Sequence, residues 1–168
     1  LDSATLESQD VALRLDRLGL QVLLIDTNVR HDLADGAYAD RRAACERAAT
    51  TLGVAHLAEI PLSDITRIDA LPEPEARRAR HVVTEQARVA DAVRAFEDVD
   101  APALGRAFAG SHTSLSRDYE VSCLELDIAG RLVQQHDSTA DGAVVPPEDL
   151  EDPLQAFLQI ERRRQRLT

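Results

Sequence analysis

Residues 27–46 read TNVRHDLADGAYADRRAACE, which places Arg30, His31, three aspartates, Tyr38 and the pair Arg41-Arg42 close together. Two of these side chains could do chemistry. Arg30 leaves the end of an expected strand in a short loop, where a guanidinium can reach phosphate oxygens through its planar fork of donors. Tyr38 stands at the start of the next expected helix. A phenol there can hydrogen-bond a sugar hydroxyl and lay its ring against a pyranose. Groups that face a cleft often leave strand ends in this way. The same residues also suit a plainer arrangement, a surface arginine and a tyrosine that anchors the core. Asp35, Arg42 and Glu46 read as the capped, solvated side of the helix.

The rest of the chain offers less chemistry. It has no glycine-rich phosphate loop, HExxH, CxxC or GxSxG, the motifs whose spacing would announce a nucleotide, zinc or nucleophile site. His31, His56, His81, His112 and His136 fall in different segments without paired ligand spacing, so no metal site is expected. His81 and His112 lie along expected helices and read as satisfied, partly buried imidazoles. Cys45 and Cys123 read as small packing residues.

Composition narrows the partners. Thirty acidic residues against nineteen basic ones give a formal charge of −11. So acidic a surface repels phosphate backbones and anionic lipid, so neither nucleic acid nor a membrane is an expected partner. Every basic residue is Arg, which closes off any chemistry that requires a lysine. At 168 residues, 44% hydrophobic and 29% charged, the chain reads as one globular domain. With aromatics at 3% and no Trp or Met, Leu, Val, Ile and Ala must fill its core. No leader is read at Leu1, and no apolar run approaches the roughly eighteen residues of a membrane helix. The expected compartment is the reducing cytoplasm.

The elements that must position Arg30 and Tyr38 follow from hydrophobic period and punctuation. Residues 6–15 and 18–27 read as two strands, the second through the run Val22-Leu23-Leu24-Ile25. A helix over 35–52 presents the small face Ala44, Cys45, Ala48, Ala49 and is closed by Gly53. A short helical turn is expected at Ser63-Asp64. A long helix over 75–97 turns Val82, Val89, Val93 and Phe96 inward. Another over 102–115 starts on Pro102 and buries Leu104, Ala107, Phe108, Ser111 and Leu115. Ser122 to Glu125 has the spacing of a capping box, opening a helix with Leu124, Ile128 and Leu132 inside. Residues 136–152 read as a polar linker. A last amphipathic helix is expected from Pro153 with Leu154, Phe157 and Leu158, ending in Arg162, Arg163, Arg164 and Arg166. The class is α+β and helix-rich: two strands followed by four to five helices.

Three stretches resemble one family. NVRHDLADGAYADRRAACE is similar to the galactokinase segment N-x-R-H-x-L-x-x-x-x-Y-x-x-R-R-x-x-C-E. RARHVVTEQARV resembles R-x-R-H-V-V-T-E-N-x-R-V, and SHTSLSRDYEVSCLELD resembles S-H-x-S-L-R-D-D-Y-E-V-S-C-P-E-L-D. They occur in family order with fitting separations, and the likeness runs over residues 1–132. It implies part of the C-terminal domain of a GHMP-superfamily kinase. The implied activity is transfer of the γ-phosphoryl group of ATP, with Mg2+, to the anomeric hydroxyl of galactose. By that resemblance Tyr38 is the sugar contact and Arg30 the arginine beside the nucleotide phosphates, with galactose and ATP as ligands.

The departures shape the expectation as much as the matches. The family's sugar signature G-R-x-N-L-I-G-E-H-x-D-Y, its phosphate loop P-x-G-x-G-L-S-S-S-A, the aspartate of M-D-Q and the segment G-A-R-M-T-G-G-G-F-G-G do not occur. Smaller changes are Gln86 for Asn, Ser116-Arg117 for Arg-Asp and Leu124 for Pro. Residues 133–168 do not align and read as a linker with a short amphipathic helix. A truncated gene, a frameshift near residue 130, a piece of a longer protein or a divergent short protein would all read this way. The isolated chain is expected to be inactive, with apolar surface exposed where further strands should pack. The alternative functions are a non-catalytic sugar- or nucleotide-binding or interaction domain, and a truncated remnant.

Overall fold

The structure, a computed structural model, describes residues 8–20, 22, 24–27 and 35–136. Neither expected strand forms among them. Leu15–Leu18 is a single helical turn, α1, closed by Gly19 at φ 67, and residues 24–27 carry no regular structure. A strand needs a neighbour for its N–H and C=O groups, and no described segment supplies a ladder. The helix-rich part of the expected class stands, without strands among the described residues.

Helix α2 (Asp35–Leu52) ends at Gly53 in the left-handed region, φ 74, a conformation glycine adopts without a Cβ penalty. Its inner face is the expected small one: Ala44, Ala48 and Ala49 are buried, with Cys45 and Leu52 partly so. Two 3-10 turns (Leu57–Glu59 and Leu62–Asp64) and α3 (Ile65–Ile68) follow. They bring Leu57, Ile60, Ile68 and Leu71 onto Ala76, Ala79 and Val83 of α4 (Glu75–Asp98). Each large aliphatic buried there contributes roughly 1.5–3 kcal/mol.

Helix α4 packs against both α2 and α5 (Ala101–Arg117). Because two neighbours clasp it, its buried positions do not follow one apolar stripe. Val83 and Ala95 are inside beside Arg78 and His81, whereas Val89, expected inward, is 52% exposed. On α5, Leu104 and Ala107 are buried as expected but Phe108 faces solvent. Val99 (φ 57) and the cap Asp100 make the α4–α5 corner. Helix α6 (Leu124–His136) buries Ile128 and Ala129, on which Ile25 packs. Leu124, expected inside, is exposed. Leu24, Val22 and Val121 are exposed too, in keeping with the expected uncovered apolar surface. The expected linker and final helix from Pro153, with its arginines, lie outside the described residues.

Candidate functional site

Tyr38 sits in the first turns of α2 and is 72% exposed, so it is not a core anchor. Arg30, the phosphate-side residue of the same reading, lies outside the described residues. What the structure does show is how the backbone under Tyr38 is held.

The sequence Asp118-Tyr119-Glu120 forms a turn after α5, with Glu120 in the left-handed region at φ 55. A non-glycine residue holds that conformation only where its surroundings over-determine it, and here they do. Arg78, buried in α4, donates to the Asp118 carbonyl and, at 2.5 Å, to the Glu120 carboxylate, and its guanidinium lies 6.0 Å from the Tyr119 ring centre. One side chain thus holds three consecutive residues. Arg77 donates to the other Glu120 oxygen. These two arginines hold the Glu120 carboxyl down at about 2, well below its ordinary range. From α2, Arg41 donates to the carbonyls of Tyr119, at 2.8 Å, and of Glu120. Below the turn, the Tyr119 ring stacks on His81 at 4.5 Å. Burial pushes both the Tyr119 phenol and the nearby Cys45 thiol up from their ordinary values.

The hydrogen bonds fix the direction of the His81 contact. Ser114 Oγ donates its single proton to Asp118 Oδ2 at 2.8 Å, since a carboxylate can only accept. The His81 Nδ1 atom 3.0 Å away must therefore be the donor to Ser114 Oγ. Burial lowers the His81 pKa, partly opposed by the charge of Glu85. The imidazole is the satisfied helix histidine expected from its position.

A second polar cluster ties α5 to α6. Asp127 accepts from Ser122 Oγ at 2.7 Å and Ser116 Oγ at 3.1 Å, and pairs with His112 Nε2 at 3.2 Å. The Ser122 hydroxyl is thus committed to Asp127 rather than to the expected capping box. His112 and Ser122 border an open apolar groove of about 270 Å³ with Ile25, Leu115, Val121 and Leu126.

The three motif segments therefore converge. Arg41 and Cys45 come from the first, Arg78 and His81 from the second, and Ser114 and the 118–120 turn from the third. The relatives that this chain matches are galactokinases. The chain is 39% identical over 131 residues to that of Streptomyces coelicolor, a match covering 76% of this chain and 34% of that protein. It is 38% identical over 129 residues to that of Mycobacterium tuberculosis, over 76% of this chain and 36% of its relative. The fold matches that of Lactococcus lactis galactokinase complexed with galactose at a TM-score of 0.63 and 27% identity, over 82% of this chain and 40% of that one. The chain carries a partial galactokinase-type region. It spans about a third of the length of the curated relatives it matches. No family model matches the chain.

Within the galactokinase-type region the described residues do not fit ATP with Mg2+. No three His, Cys, Asp or Glu side chains among them converge to hold a metal ion. The arginines around the turn direct donors to Glu120 and to main-chain carbonyls. No described helix is long and apolar enough to cross a membrane. Residue-by-residue reading missed Arg41, Arg78 and Glu120. The one available signal was an arginine, Arg78, falling between the core positions Ala76 and Ala79.

Proposed function

We propose that this chain serves galactose phosphorylation as the matching portion of a galactokinase, and that it does not carry out the transfer alone. Identity of 38–39% to galactokinases over 76% of the chain carries the reading, supported by the likeness to a galactokinase complexed with galactose. In this reading residues 1–132 form the galactokinase-like portion, 133–168 are a separate linker and short helix, and the compartment is the cytoplasm. The exposed Tyr38 phenol is the sugar-side contact. Arg30 is the phosphate-side residue of the same reading.

Two measurements test this on the purified chain. Galactose titrated into it in a calorimeter should give saturable heat, weakened about tenfold by Tyr38→Phe, the loss of one hydrogen bond in a partly desolvated site. An ATP-dependent phosphorylation assay should show no turnover by the 168 residues alone. Turnover would overturn the view that the chain is only part of the machinery, and absence of heat would overturn sugar binding. The second reading, a non-catalytic interaction domain, is favoured by the exposed apolar side chains Leu24, Val121 and Leu124. It gains ground if galactose gives no heat.

A further inference from the structure

Arg41 makes three hydrogen bonds, all to main-chain carbonyls. Nη1 donates to Ala37 at 2.9 Å, Nε donates to Tyr119 at 2.8 Å, and Nη2 donates to Glu120. The first carbonyl belongs to the residue immediately before Tyr38. The other two belong to the turn that Arg77, Arg78 and the His81–Tyr119 stack already hold. One planar guanidinium therefore bridges the first turns of α2 to a rigid part of the core.

Those first turns need such a bridge. The opening N–H groups of a helix lack intrahelical partners, so its first turn frays unless something outside ties it down. The nearby buried residues Ala44 and Ala48 lie one and two turns further on, and Gly36, Tyr38, Ala39 and Asp40 are exposed. Side-chain packing thus contributes little order at Tyr38 itself.

We infer that Arg41 is a positioning residue for Tyr38, fixing the backbone that carries the phenol against the Tyr119–Glu120 turn. The inference rests on the sugar-side reading of Tyr38 and adds a residue to it. Arg41 does not itself touch the ligand. Its fork meets carbonyls on two elements at once, which a single ammonium cannot reproduce.

The test compares wild type, Arg41→Gln and Arg41→Lys. Amide hydrogen exchange is followed in peptides covering 36–42 and, as the control for global unfolding, in peptides from the middle of α4. Because the chain has two tyrosines and no tryptophan, Tyr119→Phe leaves Tyr38 as the one fluorophore, and its anisotropy is read in the same three backgrounds. In Arg41→Gln the 36–42 peptides should exchange about tenfold faster with α4 unchanged, as expected when a local tie is cut. Tyr38 anisotropy should fall and galactose affinity should drop about tenfold, with Arg41→Lys intermediate in all three. Unchanged exchange and anisotropy in Arg41→Gln would overturn the inference. So would equal acceleration in α4, which would make Arg41 a general stabiliser. A wild-type chain that binds no galactose removes the sugar reading of Tyr38, and exchange with anisotropy then decides the positioning alone.

Discussion

Arg78 and Glu120 stand forty-two residues apart in the chain, yet a guanidinium nitrogen of one lies 2.5 Å from a carboxylate oxygen of the other. Arg78 is buried while the Glu120 side chain is 46% exposed. The energy of the contact therefore lies less in the ion pair, which solvent screens on one side, than in what Arg78 does as a whole. It also satisfies the Asp118 carbonyl and lies over the Tyr119 ring.

Replacing Arg78 by Ala removes all of these and opens space in the core between α4 and the 118–120 turn. The expected loss is about 2–4 kcal/mol, the range for breaking a buried network rather than a surface pair. Arg78→Lys should recover less than half of it, because an ammonium cannot serve carbonyl, carboxylate and ring together. Urea unfolding measures both; a lysine variant as stable as wild type would show that only the charge matters.

Acid stability follows from two groups with depressed pKa values. His81 is lowered from its ordinary 6.5, chiefly by burial. Glu120 is lowered from 4.5 to about 2, chiefly by hydrogen bonds from Arg78 and then Arg77. In each case the unfolded chain binds the proton more readily than the folded one, so stability rises with pH across the window between the two values. The His81 contribution is complete above about pH 6.5 and is lost as pH falls below it. The Glu120 contribution is complete above about pH 4.5 and is lost toward about pH 2. A melting-temperature profile should decline in two stages on acidification. His81→Asn, whose amide can still donate to Ser114, should remove the upper stage and leave the lower. An unchanged upper stage would place its origin in another group.

These two residues also mark where sequence reading stops. The extent of α2 was legible because small residues recur on one face and Gly53 supplies the left-handed stop, and α5 was legible from Pro102. Arg78 was not, since a polar residue at helical spacing looks like a solvated face until its partners are known, and His81 was legible as a satisfied histidine but without its partner. Those partners, Asp118 to Glu120 and Ser114, come from more than thirty residues away, a distance that hydrophobic period does not encode. The strand expectation for residues 18–27 failed among the described positions for a related reason. An apolar run has strand potential, but a ladder needs a second strand. Tyr38 was legible as a motif position, whereas Arg41 stood only as half of the Arg41-Arg42 pair.

The start of α5 carries a cap that composition alone did not single out. Asp100 Oδ1 accepts from the Ala103 N–H at 2.9 Å, ahead of Pro102 in the first turn. Asp100→Ala should cost about 1 kcal/mol and Asp100→Asn a few tenths, since the amide oxygen can still accept. Thermal unfolding resolves the difference. Equal losses for the two variants would mean that the charge at the helix end, rather than the hydrogen bond, is what stabilises α5.

Gly130 and His112 test how tightly α6 sits on α5. A Cβ at position 130 would lie 3.0 Å from His112 Nε2 and 3.1 Å from its Cδ2, and the same Nε2 pairs with Asp127 at 3.2 Å. Alanine in place of glycine favours a helix interior by about 1 kcal/mol, but here it must push the imidazole away from the carboxylate. Gly130→Ala alone should therefore be neutral or destabilising by up to about 1 kcal/mol, because the lost contact offsets the helical gain. In a His112→Ala background nothing opposes the methyl, and the same substitution should stabilise by about 1 kcal/mol. The double-mutant cycle should thus show coupling of at least about 0.5 kcal/mol between the two positions. Additive effects would mean that the imidazole moves aside freely and that α6 is held by Ile128, Ala129 and the two serines on Asp127 instead.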